Sequence, residues 1–123
     1  THTHTHTHFR PEKLSKTRAI DELIKAIEDV PIDISDRPVL THTQIMNKSL
    51  IEKMSQTGVI ANIQPAFVPS DASGTLSRFG SERLEYCYCW KTLRDNNVIL
   101  AGGSDAPVEE PRPLHGMYKL ETV

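Results

Sequence analysis

The chain opens its folded pattern at Thr17. Ile20, Leu23, Ile24 and Ile27 fall at i, i+3, i+4 and i+7, which makes one apolar stripe on a helix. Asp21, Glu22, Lys25 and Glu28 sit off the stripe, and Pro31 ends the helix near Val30. Asp33 to Asp36 read as a polar connector. Val39 and Leu40 are strand-like and run into Thr41, His42, Thr43 and Gln44. Asn47 suits the N-cap of a second helix with Leu50, Ile51 and Met54 on one side, and Gly58 suits its left-handed end. Val59, Ile60, Ala61 and Ile63 form a short apolar strand stopped by Pro65, of the kind buried on both faces of a parallel sheet.

Residues 65–80, "PAFVPSDASGTLSRFG", mix proline, glycine and serine and predict a long loop. A loop of this length in a compact domain is usually a lid or a substrate wall, with a plain surface connector as the alternative. Ser81 then caps a predicted helix reaching about Asp95, apolar or aromatic nearly all round from Tyr86 to Trp90. Tyr86 and Trp90 fit core packing better than a base-stacking platform. Asn96-Asn97 turns the chain into the third strand, Val98 to Ala101, which runs into Gly102, Gly103, Ser104 and Asp105. After Pro107 an acidic, proline-rich loop leads to "LHGMYKLETV", the start of a further helix. Helices alternating with strands in this way predict an α/β fold with a parallel sheet and right-handed crossovers.

The 123 residues suit one small domain or a piece of a larger one. A net charge of −2 provides no basic field for nucleic acid or an anionic membrane. No apolar run approaches the roughly 18–20 residues that span a bilayer, and the N-terminus lacks a basic region followed by an apolar core. Cys87 and Cys89, the two cysteines, stand one residue apart and are poorly placed to pair on a helix. Reduced thiols and no signal segment make the cytoplasm the expected location. The opening THTHTHTH would put His2, His4, His6 and His8 on one face of an extended strand. It reads as an engineered purification tag over residues 1–8, outside the fold.

All three strands end in polar groups: His42 and Gln44, Asn62 and Gln64, Ser104 and Asp105. In parallel α/β folds these ends form one rim, where function gathers. His42 and Asp105 are expected to meet there across the central strand. An imidazole and a carboxylate together suit a divalent metal or proton transfer. The plainer alternatives are a hydrogen-bonded core histidine for His42, a turn or helix cap for Asp105, and structural roles for Gln44 and Gln64.

"RPVLTHTQIM", "GVIANIQPAFVPSDA" and "RFGSERLEYCYCWKTLRDNNVILAGGSDAPVEEPRPLHGM" together resemble the C-terminal part of the metal-dependent amidohydrolase superfamily. The resemblance is strongest to its YtcJ-like branch, with N-substituted formamide deformylases. It implies a partial (β/α)8 TIM barrel over residues 9–123, holding strands six to eight with their helices. It implies that His42 is a metal ligand or substrate polariser and that Asp105 contacts the metal and takes a proton from the attacking water. Gln44, Gln64 and Ser104 are the expected substrate-binding residues. The implied reaction is hydrolysis of carbon–nitrogen, amide-type bonds, with zinc the expected metal. The family's His-x-His pair and its bridging lysine have no counterpart here, and Lys13 stands where a strand-five histidine belongs. A chain with two of the ligands would hold metal weakly. The implied picture is an enzyme fragment, inactive alone, that forms a homo-oligomer or docks onto the rest of a barrel. The alternative is a catalytically inert α/β oligomerisation or interaction module.

Overall fold

The structure, a computed structural model, describes residues 12–30 and 33–121. The Thr/His repeat lies outside the described residues. The elements run α1 (Glu12–Asp29), a 3-10 turn (Ile34–Asp36), β1 (Val39–Thr41), α2 (Lys48–Thr57), β2 (Ile60–Ile63) and α3 (Phe67–Phe79). They continue through α4 (Ser81–Leu84), α5 (Trp90–Asp95), β3 (Leu100–Gly102) and α6 (Pro113–Glu121). The three strands form a parallel sheet in the order β1-β2-β3. Leu40, Ala61 and Leu100 lie in one register row, and Thr41, Asn62 and Ala101 in the next.

The helix-stripe reading holds for α2 and for Ile20, Ile24 and Ile27 of α1, whereas Leu23, expected on the same stripe, is 51% exposed. Ile20 and Ile24 of α1 meet Leu50, Ile51 and Met54 of α2 in a core that also takes Trp90 and Leu93 of α5. Asn47 caps α2, its side-chain oxygen accepting from the Leu50 N–H at 2.9 Å. Gly58 closes the helix at φ 68°, in the left-handed region that glycine enters without steric cost. Period-two alternation sends Leu40, Ala61 and Ile63 into this core. The opposite sheet face is not covered among the described residues. Val39 is 53% exposed, Ile60 and Asn62 are half-buried, and Ile99, just before β3, is 62% exposed. The expectation that the second strand is buried on both faces therefore holds for one face only.

Two local expectations are corrected. Residues 67–79 are helix, not loop. Pro69 falls in the first turn, where the missing N–H has no intrahelical acceptor to lose. The hydroxyls of Ser70, Thr75 and Ser77 donate back to the carbonyls of Phe67, Asp71 and Gly74 at 3.1, 2.8 and 3.0 Å. These residues thus satisfy their polar groups within the helix rather than competing with it.

The segment from Ser81 to Asp95 is not one helix. It breaks between Leu84 and Trp90, with Tyr88 left-handed at φ 52°. The broken backbone pairs elsewhere: Ile45 and Cys87 form an antiparallel bridge. Met46 N–H donates to the Tyr86 carbonyl at 2.9 Å, and Tyr88 N–H to that of Gln44 at 2.7 Å. The aromatic run is accommodated by this pairing. Trp90 is buried, with its ring edge-on to Tyr88 at 5.5 Å, and Tyr86 packs against the core. Among the described residues no helix is long and apolar enough to cross a membrane.

Candidate active site

The carboxyl ends of the three parallel strands share one rim. His42 follows β1 directly, and its N–H donates to the Asn62 carbonyl at 3.2 Å. Gly103 follows β3, and its N–H donates to the Ile63 carbonyl at 2.9 Å. The two outer strands are therefore tied to the central one up to the point where each turns away. The turning residues are the functional candidates themselves: His42 has φ 61° and Asp105 φ 56°. Left-handed backbone is uncommon for residues other than glycine, though His, Asn and Asp enter it more readily than most. Each residue leaves the extended line there.

Across the central strand the two side chains meet, His42 Nε2 standing 3.4 Å from Asp105 Oδ2. That is ion-pair distance, longer than a well-formed N–H···O bond. Both side chains remain open to solvent, at 45% and 39% exposure. Asp105 also anchors its own turn. Its carbonyl accepts from the Val108 N–H at 2.8 Å, with the Ala106–Pro107 peptide cis between them. The preceding glycines do not provide the bend. Neither Gly102 nor Gly103 has positive φ, and a Cβ on Gly103 would sit 3.5 Å from Asn62 Oδ1, an ordinary contact.

His42 opens onto a cavity of about 640 Å³. Ala19, Ile20 and Leu23 of α1 form one wall, Phe67, Ser70 and Asp71 of α3 another, and Val108 and Glu109 close the side toward Asp105. The stretch expected to wall the site does so, as a helix. The His42 ring stacks on Phe67, with centroids 6.0 Å apart and planes 12° from parallel. Ser70 Oγ also lies 3.0 Å from Glu109 Oε1, so its one proton is shared between that carboxylate and the Phe67 carbonyl, joining α3 to the loop after Asp105. Asp71 accepts from the Tyr88 hydroxyl. Burial first, and that carboxylate second, push the Tyr88 phenol well above its usual range.

The expected substrate-binding residues divide. Gln44 lines the same cavity as His42; it is 8% exposed, and its side-chain nitrogen has no hydrogen-bond partner. Gln64 is 1% exposed, outside the cavity lining, and its Nε2 donates to the Asn62 carbonyl at 3.2 Å. Ser104 lines a separate cavity of about 80 Å³ with Gly102, Gly103 and Arg112. Phe67, Asp71 and Glu109 were not singled out by the sequence reading. Their signal was position: an aromatic residue just after a strand-ending proline, and acids flanking the rim loops.

His42 and Asp105 do not complete a metal site. Among the described residues no three His, Cys, Asp or Glu side chains gather as a ligand cluster. A catalytic zinc ion takes three protein ligands and an open position.

The amidohydrolase family model matches residues 14–122. The chain belongs to the amidohydrolase family. It is 35% identical over 99 residues to the protein of Bacillus subtilis (strain 168) named "Putative amidohydrolase YtcJ". That match covers 80% of this chain and 19% of the relative. It is 30% identical over 104 residues to Protein LONG AFTER FAR-RED 3 of Arabidopsis thaliana, covering 81% of this chain and 18% of that protein. The fold matches the crystal structure of an uncharacterized metal-dependent hydrolase from Pyrococcus furiosus, with a TM-score of 0.73 at 24% identity. The alignment covers 83% of this chain and 20% of that one. This amidohydrolase chain thus spans about a fifth of the length of the relatives it matches.

Proposed function

We propose that this chain forms the His42–Asp105 side of a hydrolase active site that cleaves carbon–nitrogen, amide-type bonds. The observation that carries the reading is the approach of His42 Nε2 to Asp105 Oδ2 on the rim of the parallel sheet, beside a cavity of small-molecule size. Membership of the amidohydrolase family supports it.

In this reading Asp105 accepts a proton from the attacking water as its oxygen bonds to the carbonyl carbon. The same carboxyl returns that proton to the leaving nitrogen as the C–N bond breaks, releasing an acid and an amine. His42 polarises the carbonyl oxygen. Gln44 lines the cavity, but its unpaired amide nitrogen is buried, so a donation to a substrate carbonyl would need the side chain to turn outward. A divalent metal, zinc by the nitrogen and oxygen donors on offer, supplies Lewis acidity in such hydrolases. Two donors do not hold it, and further ligands would come from outside the described residues. The partial barrel, strands six to eight, follows from the same reading. The uncovered sheet face with Val39 and Ile99 is then where the remaining barrel, or a second copy, docks.

The lack of a three-donor cluster among the described residues favours one other reading, an inert α/β interaction module. The test removes residues 1–8, loads zinc, manganese or iron, and assays formamides and N-acyl amines in the longest polypeptide carrying this segment. Hydrolysis that is lost with Asp105→Asn supports the hydrolase. Absence of hydrolysis and of bound metal, with a stable symmetric oligomer, supports the module.

A further inference from the structure

We propose that Phe67 is a positioning residue for His42: its ring holds the imidazole face so that Nε2 stays directed at Asp105. The inference rests on the hydrolase reading for its use, but its geometry stands alone. An imidazole that is nearly half exposed ordinarily samples several rotamers. His42 meets two restraints instead, the Asp105 carboxylate at Nε2 and the Phe67 ring on its face, 6.0 Å away and 12° from parallel.

The backbone fixes both rings to one point. The Asn62 carbonyl accepts the His42 N–H and the Gln64 Nε2, each at 3.2 Å. The Gln64 carbonyl in turn accepts the Phe67 N–H at 3.1 Å. Gln64 is buried, so the middle of this chain of bonds from His42 through Asn62 and Gln64 to Phe67 is held in the core. It assigns Gln64 a place in site assembly, not in substrate contact. Phe67, the first residue of α3, is thereby carried to the imidazole from across the sheet end.

The test reads the His42 imidazole by NMR in the isotope-labelled full chain, with its resonances identified by their loss in His42→Gln. Phe67→Leu is expected to remove the ring-current contribution to the shifts of the His42 ring protons, and Phe67→Tyr to restore it. Asp105→Asn is expected to move the His42 resonances strongly in the parent chain and weakly in the Phe67→Leu background. A purely structural Phe67 would leave that difference unchanged. Phe67→Met serves if the leucine variant loses its folded amide spectrum. Unchanged His42 resonances in both aliphatic variants, or an equal response to Asp105→Asn in both backgrounds, would overturn the proposal. Failure of the hydrolase reading shows elsewhere, as amide hydrolysis that survives Asp105→Asn.

Discussion

His42 Nε2 and Asp105 Oδ2 stand 3.4 Å apart although their residues follow the two outer strands of the sheet. The central strand between them carries the half-buried Asn62 one residue before its end, and Asn62 Nδ2 reaches sideways to Thr41 Oγ1 at 3.4 Å. The pair therefore spans the rim at the end of β2, where the Asn62 amide lies between Thr41 and Gly103. A relationship of this kind depends on strand order, since both groups follow strands that flank the same central strand.

Asp105→Asn separates chemistry from stability. Asparagine also tolerates left-handed backbone, so the turn at φ 56° is kept. The pair is more than a third exposed, and water screening limits its contribution to stability to about 0–1 kcal/mol. Loss of a general acid–base group lowers turnover by about 10²–10⁴-fold. The expected result is a nearly unchanged melting temperature with kcat reduced on that scale. A large loss of stability with little loss of rate would make Asp105 a structural cap.

The ends of α2 test the helix reading. Asn47→Ala removes the oxygen that accepts from Leu50 N–H and is expected to cost about 0.5–2 kcal/mol. Gly58→Ala places a Cβ at φ 68° and is expected to cost about 1–2 kcal/mol. The two sites lie at opposite ends of a ten-residue helix, so the double variant should show their sum. Urea unfolding with an unchanged m-value measures all three.

These caps were legible in the sequence because each is a local rule: one side chain, one backbone geometry, a fixed offset. So was the order of helices and parallel strands, set by hydrophobic period. The rim pair was legible because parallel strands must end on the same side. The segments at 65–80 and 81–95 were not. In the first, Ser70, Thr75 and Ser77 bond within the helix, where composition alone favours a loop. In the second, the carbonyls of Tyr86 and Gln44 are paired across the fold, so a distant segment decides the local structure. Phe67 was missed for the same reason, since its contact with His42 exists only after β1 and β2 align.

Acid should weaken the contact between α1 and α2. Asp21 accepts from Lys25 at 2.7 Å and from Lys53 across the helix pair. These hydrogen bonds, Lys25 first and Lys53 next, hold its carboxyl below the ordinary value of 3.8. A carboxylate with a lowered folded pKa adds stability above the unfolded value, lost as pH falls through the folded one. Asp33, lowered by the Ser35 backbone N–H, acts in the same direction. Unfolding midpoints should therefore fall below about pH 4, and Asp21→Asn should flatten that decline. A decline unchanged in Asp21→Asn would show that other carboxylates set it.

The two thiols should be slow to react. Cys89 is 7% exposed, and burial pushes its pKa from 9.0 up to about 11. Cys87 is half-buried and raised by the same cause, partly offset by the nearby Arg83 charge. The thiolate is the nucleophile, so at pH 8 alkylation of Cys89 by iodoacetamide should run about 100-fold slower than in urea. Cys87, less buried, should be labelled first, and peptide mapping by mass spectrometry distinguishes the two. The same shift has a stability consequence in the alkaline range. Between pH 9.0 and about 11 the unfolded thiol ionises while the folded one holds its proton, so folding weakens as pH rises through that window. Cys89→Ala should remove this part of the slope, and rapid native-state labelling of Cys89 at pH 8 would show that the Tyr86–Trp90 segment opens to solvent.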